Sequence, residues 1–151
     1  MPIRDDIAQA LVDAVKHQDK RRTSTLRLIQ AAIKDRDIAH RSAGKDPVTD
    51  ADVLEILTRM VKQRRESVQI YEQNGRADLA QEERHEIAII EEFLPKPLDE
   101  AELKQACEQV VREIGAEGLR DMGRCMNALK ERYPGRMDFS KASGVVRELL
   151  K

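Results

Sequence analysis

Tryptophan is absent from the chain, and aromatic residues make up only 3% of its 151 residues. Aromatic and β-branched side chains favour strands. The residues that dominate here are Ala, Leu, Glu, Lys, Arg and Gln, which are good helix formers. The sequence therefore predicts an all-α protein. The few aromatic residues are scattered, which argues against recognition of single-stranded nucleic acid by stacked bases.

Long hydrophobic runs are also missing. No stretch of 18 apolar residues occurs, so no transmembrane helix is predicted. The first residues lack the apolar segment and small-residue cleavage site of a secretory signal. We therefore expect a cytoplasmic protein with no membrane partner. The net charge of −1 excludes a globally basic nucleic-acid binder but leaves room for a local basic patch.

Cysteine is scarce, with Cys107 and Cys125 as the two examples. They lie outside any CxxC motif and at positions predicted to be helical, so we expect buried, reduced thiols.

Reactive constellations are missing as well. The sequence contains neither a GxxxxGK[ST] loop nor a GxGxxG fingerprint for phosphate or dinucleotide binding. Glu82, His85 and Glu86 could meet on one helical turn, but a carboxylate metal site of this kind needs a second matching helix. The serines have no convincing base or oxyanion partner. We predict no self-contained catalytic centre, no metal site and no cofactor.

Seven amphipathic segments are predicted to be helices, with boundaries set by capping and breaking residues. They cover approximately residues 3–17, 20–41, 49–74, 76–93, 99–115, 121–132 and 140–150. Asp99 and Glu102 have the spacing of a capping box at the start of the fifth helix. The expected buried stripes include Val15 in the first helix and Leu149 in the last.

The clearest boundary is the run Leu94-Pro95-Lys96-Pro97, because two prolines restrict the residues before them and remove two backbone donors. We predict a larger N-terminal helical domain over residues 1–94 and a proline hinge over residues 95–98. A small C-terminal three-helix domain is predicted over residues 99–151.

Cationic residues fall in three clusters. The first comprises Lys16, Lys20, Arg21 and Arg22, and the second comprises Arg59, Lys62, Arg64 and Arg65. The third surrounds the sixth helix and the following Pro-Gly-Arg turn, with Arg124, Lys130, Arg132, Arg136 and Lys141. A solvated face with local ion pairs is the alternative for each cluster. Lys141 is unfavourably placed for the dipole of the last helix, which hints at an external anion.

Five segments together resemble the YqeY family. They are TLRLIQAAIK (Thr25–Lys34), KQRRESVQIYEQNGRADLAQEE (Lys62–Glu83), IIEEFLPKPLDEAEL (Ile89–Leu103), DMGRCMNALK (Asp121–Lys130) and PGRMDFSKASGVVRELL (Pro134–Leu150). That family is similar to the C-terminal helical and tail region of GatB, a subunit of the glutamine-dependent aspartyl/glutamyl-tRNA amidotransferase. The resemblance implies the same two-part helical organisation.

Three functions are predicted, and the resemblance implies the first two. The first is a non-catalytic module that binds tRNA or a tRNA-modifying or aminoacylating complex, with the third cationic cluster contacting phosphates. The second is a component of carbon–nitrogen ligase activity with glutamine as the amido donor. The third, suggested by the acidic residues of the fourth helix, is a scaffold that binds a basic protein. The sequence does not predict an oligomeric state.

Overall fold

A computed structural model describes residues 2–151 of the chain. Within this range the backbone forms seven α-helices, one short 3-10 turn and no strand, which confirms the predicted all-α class. The chain divides into two compact units, one ending at Leu94 and the other beginning at Pro95.

The first unit contains four helices: α1 (Ile3–Lys16), α2 (Lys20–Ser42), α3 (Asp50–Gln73) and α4 (Ala77–Glu91). Helix α1 packs against α2 and α3 packs against α4, and α2 also contacts α3 and α4. Side chains at the helix starts explain where the helices begin. Asp19 accepts a hydrogen bond from the backbone N–H of Arg22, and Thr49 forms a capping box with Asp52.

The core of this unit is aliphatic. Ile7, Leu26, Ile29, Val53 and Leu57 are its most deeply buried members, together with Ile90 from α4. The expected burial of Val15 is wrong, because this side chain is 50% exposed at the end of α1. The apolar stripe of α1 thus continues beyond the part that α2 covers.

Ion pairs join the helices of this unit. Arg4 binds both carboxylate oxygens of Asp37 and so ties α1 to α2, at 3.0 and 2.7 Å. Arg64 and Arg65, from the second cationic cluster, bind Glu86 and Glu91 of α4. These two cations therefore link α3 to α4 instead of forming ion pairs within α3.

The second unit contains α5 (Glu100–Ile114), α6 (Met122–Arg132) and α7 (Phe139–Leu150), each of which packs against the other two. The predicted capping box at the start of α5 is confirmed. Asp99 accepts from the backbone N–H of Glu102 at 2.7 Å, and Glu102 accepts from that of Asp99 at 3.2 Å. Helix α5 ends at Ile114, and the φ of 70° at the following Gly115 lies in the left-handed region.

The core of the second unit centres on Cys107, Val110, Cys125, Leu129 and Val146, all fully buried. The expected burial of both thiols is confirmed. The expected burial of Leu149 is wrong, since this side chain is exposed on α7. No helix in the described part of the chain is long and apolar enough to cross a membrane.

Candidate nucleic-acid interface

A tight connection joins α6 to α7. Gly135 adopts a φ of 73°, which a residue without a Cβ tolerates without strain. The backbone N–H of Arg136 donates to the carbonyl of Tyr133 at 3.1 Å. Asp138 then begins α7 by accepting from the backbone N–H of Ser140 at 2.8 Å. The turn therefore brings the last residues of α6 and the first residues of α7 to one end of the unit.

Arg136 lies in the middle of this turn and is half-buried. Its Nε–H donates to the carbonyl of Lys96 at 3.1 Å, while its own carbonyl accepts from the N–H of Leu98 at 2.7 Å. These two bonds hold the Lys96–Leu98 segment against the turn. Only the first of them uses the guanidinium, through its Nε–H. Arg136 makes no ion pair with a carboxylate among residues 2–151.

Lys96 is a cation at this end of the unit that the sequence reasoning missed. Its carbonyl binds Arg136, 40 positions later in the chain, and its side chain is exposed. Tertiary contacts alone bring the two residues together. The one feature of the sequence that could have drawn attention to Lys96 is its position between two prolines.

Arg132, in the last turn of α6, is already paired. Its guanidinium lies 2.6 Å from the carboxylate of Glu113 on α5, with both side chains exposed. A hydrogen bond from Gln109, together with Arg132, holds the pKa of Glu113 below its usual value. An incoming phosphate would have to compete with Glu113 for Arg132.

Arg124 lies at the opposite end of α6 from the turn. It comes six residues before Lys130, which corresponds to about 9 Å along the helix. Its guanidinium is 3.5 Å from Asp121. Backbone N–H groups of Glu117 and Gly118, together with Arg124, lower the pKa of Asp121 against the opposing effect of burial. The structure therefore does not group Arg124 with the other four predicted residues.

Lys130 and Lys141 complete the cluster. Lys130 lies in the last turn of α6, Lys141 lies in the first turn of α7, and both are exposed. Neither makes an ion pair with a described residue. We define the cationic corner as Lys96, Lys130, Arg132, Arg136 and Lys141. Only Arg132 of these five has a carboxylate partner in residues 2–151.

The described residues offer little for covalent chemistry. Burial raises the pKa of the Cys107 and Cys125 thiols, so neither is a ready nucleophile. Glu86 binds Arg64 and is thus committed to an ion pair with α3. No group of three metal-ligating side chains forms a candidate site in the part of the chain that the structure describes. The arrangement is suited to binding anions.

Comparison with known proteins gives two relatives. The chain is 32% identical over 90 residues to an uncharacterised protein of Schizosaccharomyces pombe, which covers 60% of this chain and 70% of that protein. It is also 31% identical over 102 residues to the Altered inheritance of mitochondria protein 41, mitochondrial, of Eremothecium gossypii. The alignment covers 60% of this chain and 54% of that protein.

A family comparison spans nearly the whole chain. The model of the Yqey-like protein family matches residues 4–150, which include all seven helices apart from the first residue of α1. The match confirms the resemblance that the five sequence segments indicated. The chain belongs to the YqeY-like protein family.

Proposed function

We propose that this YqeY-like protein is a cytoplasmic, non-catalytic accessory module that binds folded tRNA through the cationic corner. The observation that carries the proposal is the grouping of Lys130, Arg136 and Lys141 around one turn without carboxylate partners among residues 2–151. Cations that the protein itself does not neutralise can bind the phosphates of RNA and displace the counterions condensed on them.

The chemistry of the corner favours structured RNA. Structured RNA is recognised mainly through its phosphates, its 2′-hydroxyls and its shape, which do not require an aromatic platform. Tyr133 and Phe139 flank the turn, but both pack against the core of the second unit. Contacts from lysine and arginine would position the RNA, with little readout of base identity.

The test is filter binding of folded tRNA to the full chain across a salt series. The double variant Lys130→Ala/Lys141→Ala removes two exposed cations and leaves the hydrogen bonds of Arg136 intact. Its matched control is Lys34→Ala/Arg59→Ala, which removes two exposed cations from the first unit. We expect the corner variant to bind roughly tenfold more weakly and to lower the slope of log affinity against log salt by about 2.

Two results would contradict this proposal. One is unchanged affinity and salt slope in the corner variant, and the other is an equal loss in the control. Circular dichroism and urea unfolding of both variants establish that the fold is retained.

The amide-transfer alternative stays a prediction with its own test. This alternative predicts amidated tRNA when the chain is mixed with glutamine, ATP, misacylated tRNA and the other subunits of such an enzyme. Absence of that product would count against it. The scaffold alternative relies on the acidic side chains of α4. Arg64 and Arg65 bind Glu86 and Glu91, and Arg22 binds Glu92 just after the helix. This pairing leaves less negative charge for a basic partner than the sequence suggested.

A further inference from the structure

A surface cleft lies where α1 meets α2 in the first unit. Its volume is about 570 Å³, and its apolar surface comes mainly from Val15 and Leu28. These side chains are 50% and 44% exposed, respectively. Neither belongs to the core of the unit. Val12, also exposed, lies one helical turn before Val15 and extends the apolar strip along α1.

The backbone beside the cleft is strained. Gln18 adopts a φ of 55°, the one left-handed conformation of a non-glycine residue in the described range. The N–H of Gln18 binds the carbonyl of Val15 at 3.1 Å, and the N–H of Asp19 binds that of Ala14 at 3.0 Å. This Schellman arrangement usually has glycine at the left-handed position. Here it places the glutamine side chain at the cleft, which Gln18 lines.

Both charged residues of the lining are cations. Lys20 and Arg27 line the cleft, and neither has an ion-pair partner among residues 2–151. Lys16 and Arg21 are exposed on either side of Gln18 in the chain. Asp19 is the only acidic residue between Ala14 and Leu28, and its carboxylate caps α2. Glu92 neutralises Arg22 nearby, and Asp13 lies close to Arg22 as well. The lining itself contains two cations and no carboxylate, so its own charge is positive although the whole chain has a net charge of −1.

The shape of the cleft favours a peptide over a small molecule. Six of its seven lining residues are exposed and the seventh, Thr23, is half-buried, so the cleft is open. Small-molecule sites usually enclose most of the ligand surface. A segment of a partner protein can instead cover the open cleft and the neighbouring Val12 together.

The apolar surface favours a protein over a nucleic acid. A phosphate backbone would use Lys20 and Arg27 but would leave Val15 and Leu28 without an apolar partner. An amphipathic acidic segment uses both features, since its branched side chains cover the valine and the leucine while its carboxylates face the cations. We propose that the α1–α2 cleft is a docking site for an acidic, amphipathic segment of a partner protein.

The test measures fluorescence anisotropy of labelled peptides with the full chain. The probe is a 16-residue peptide of glutamate and leucine, with leucines at i, i+3, i+4 and i+7. One comparison peptide replaces each glutamate by lysine, and another replaces each leucine by serine. Folded tRNA is the nucleic-acid comparison.

Two variants of the cleft are paired with controls. Leu28→Gln is matched by Ile38→Gln, an exposed apolar residue farther along α2, and Arg27→Glu is matched by Arg59→Glu on α3. We expect Leu28→Gln to weaken binding of the acidic leucine peptide by about fivefold. Arg27→Glu should weaken it by at least about fivefold at low salt and much less at 1 M salt, since salt screens exposed charges. Neither control should change the affinity.

Four outcomes would overturn the proposal. The first is that the acidic leucine peptide shows no saturable binding up to about 1 mM, and the second is that the lysine or serine peptide binds equally well. The third is that the control variants lose as much affinity as the cleft variants, and the fourth is that the cleft variants lose only their binding of tRNA. The last result would identify the cleft as a nucleic-acid surface.

Discussion

Arg64 donates its Nε–H to Oε2 of Glu86 at 2.7 Å and joins α3 to α4 where both side chains are largely shielded from water, 15% and 29% exposed. The same guanidinium donates to the carbonyl of Met60 at 3.2 Å. A partly buried guanidinium needs such partners, because removing one leaves its charge poorly solvated. Exposed ion pairs usually contribute little to stability.

Substitution Glu86→Gln should therefore destabilise the protein. We expect the free energy of unfolding to fall by about 1 kcal/mol, because Arg64 loses a charged acceptor. Urea unfolding measures the change. The control is Glu148→Gln, which breaks an exposed pair with Lys151 and should leave stability unchanged. Equal effects of the two substitutions would show that the interhelical pair contributes nothing of its own.

Substitution Gln18→Gly should stabilise the first unit. The left-handed φ of 55° costs a side chain about 1–2 kcal/mol, whereas glycine adopts it freely but loses about 0.5–1 kcal/mol more entropy on folding. We expect the free energy of unfolding, measured with urea, to rise by about 0.5–1 kcal/mol. The control is Gln69→Gly, at an exposed position away from the ends of α3, which should lower the free energy of unfolding by about 1 kcal/mol. A loss at both positions would contradict the strain at Gln18.

Acid stability should depend on Asp52. The backbone N–H and the hydroxyl of Thr49 lower the pKa of this carboxylate below its usual value of 3.8, although burial acts in the opposite direction. A carboxylate with a lowered folded-state pKa stabilises the fold above its unfolded-state pKa, and this contribution is lost as the pH falls through the folded value.

Asp52→Asn should therefore reduce stability at pH 7 and show a smaller loss than the parent chain below about pH 4. Urea unfolding at pH 7 and at a series of values down to pH 2 compares the two proteins. The control is Asp35→Asn, at an exposed aspartate of α2 whose side chain makes no hydrogen bond with another described residue. An unchanged pH dependence in Asp52→Asn would refute the contribution of this capping box.

Release of Arg132 should strengthen RNA binding if the cationic corner binds tRNA. Glu113→Gln removes the charge that faces Arg132 at 2.6 Å and leaves an uncharged side chain of similar size. We expect about twofold to threefold tighter binding and a salt slope steeper by up to about 1. Glu117→Gln is the control, because it removes an acidic charge that faces Arg120, outside the corner. Identical gains in both variants would indicate a nonspecific effect of net charge.

The sequence by itself determined the helical class and most helix boundaries. Asp19, Thr49 and Asp99 cap α2, α3 and α5, whose starts lie within one residue of the predicted ones, because capping depends on hydrogen bonds between residues three positions apart. The period-3.6 pattern also identified the apolar helix faces that carry Ile7 and Ile29, which are buried in the structure.

Only the tertiary structure decided which cations are neutralised. Glu113 precedes Arg132 by 19 positions and Glu86 follows Arg64 by 22, so no local pattern reveals these pairs. The same holds for Lys96, which reaches the cationic corner through a bond to Arg136. Likewise, Val15 fits the apolar stripe of α1 yet remains exposed, because the burial of a helix face depends on which neighbouring helix covers it.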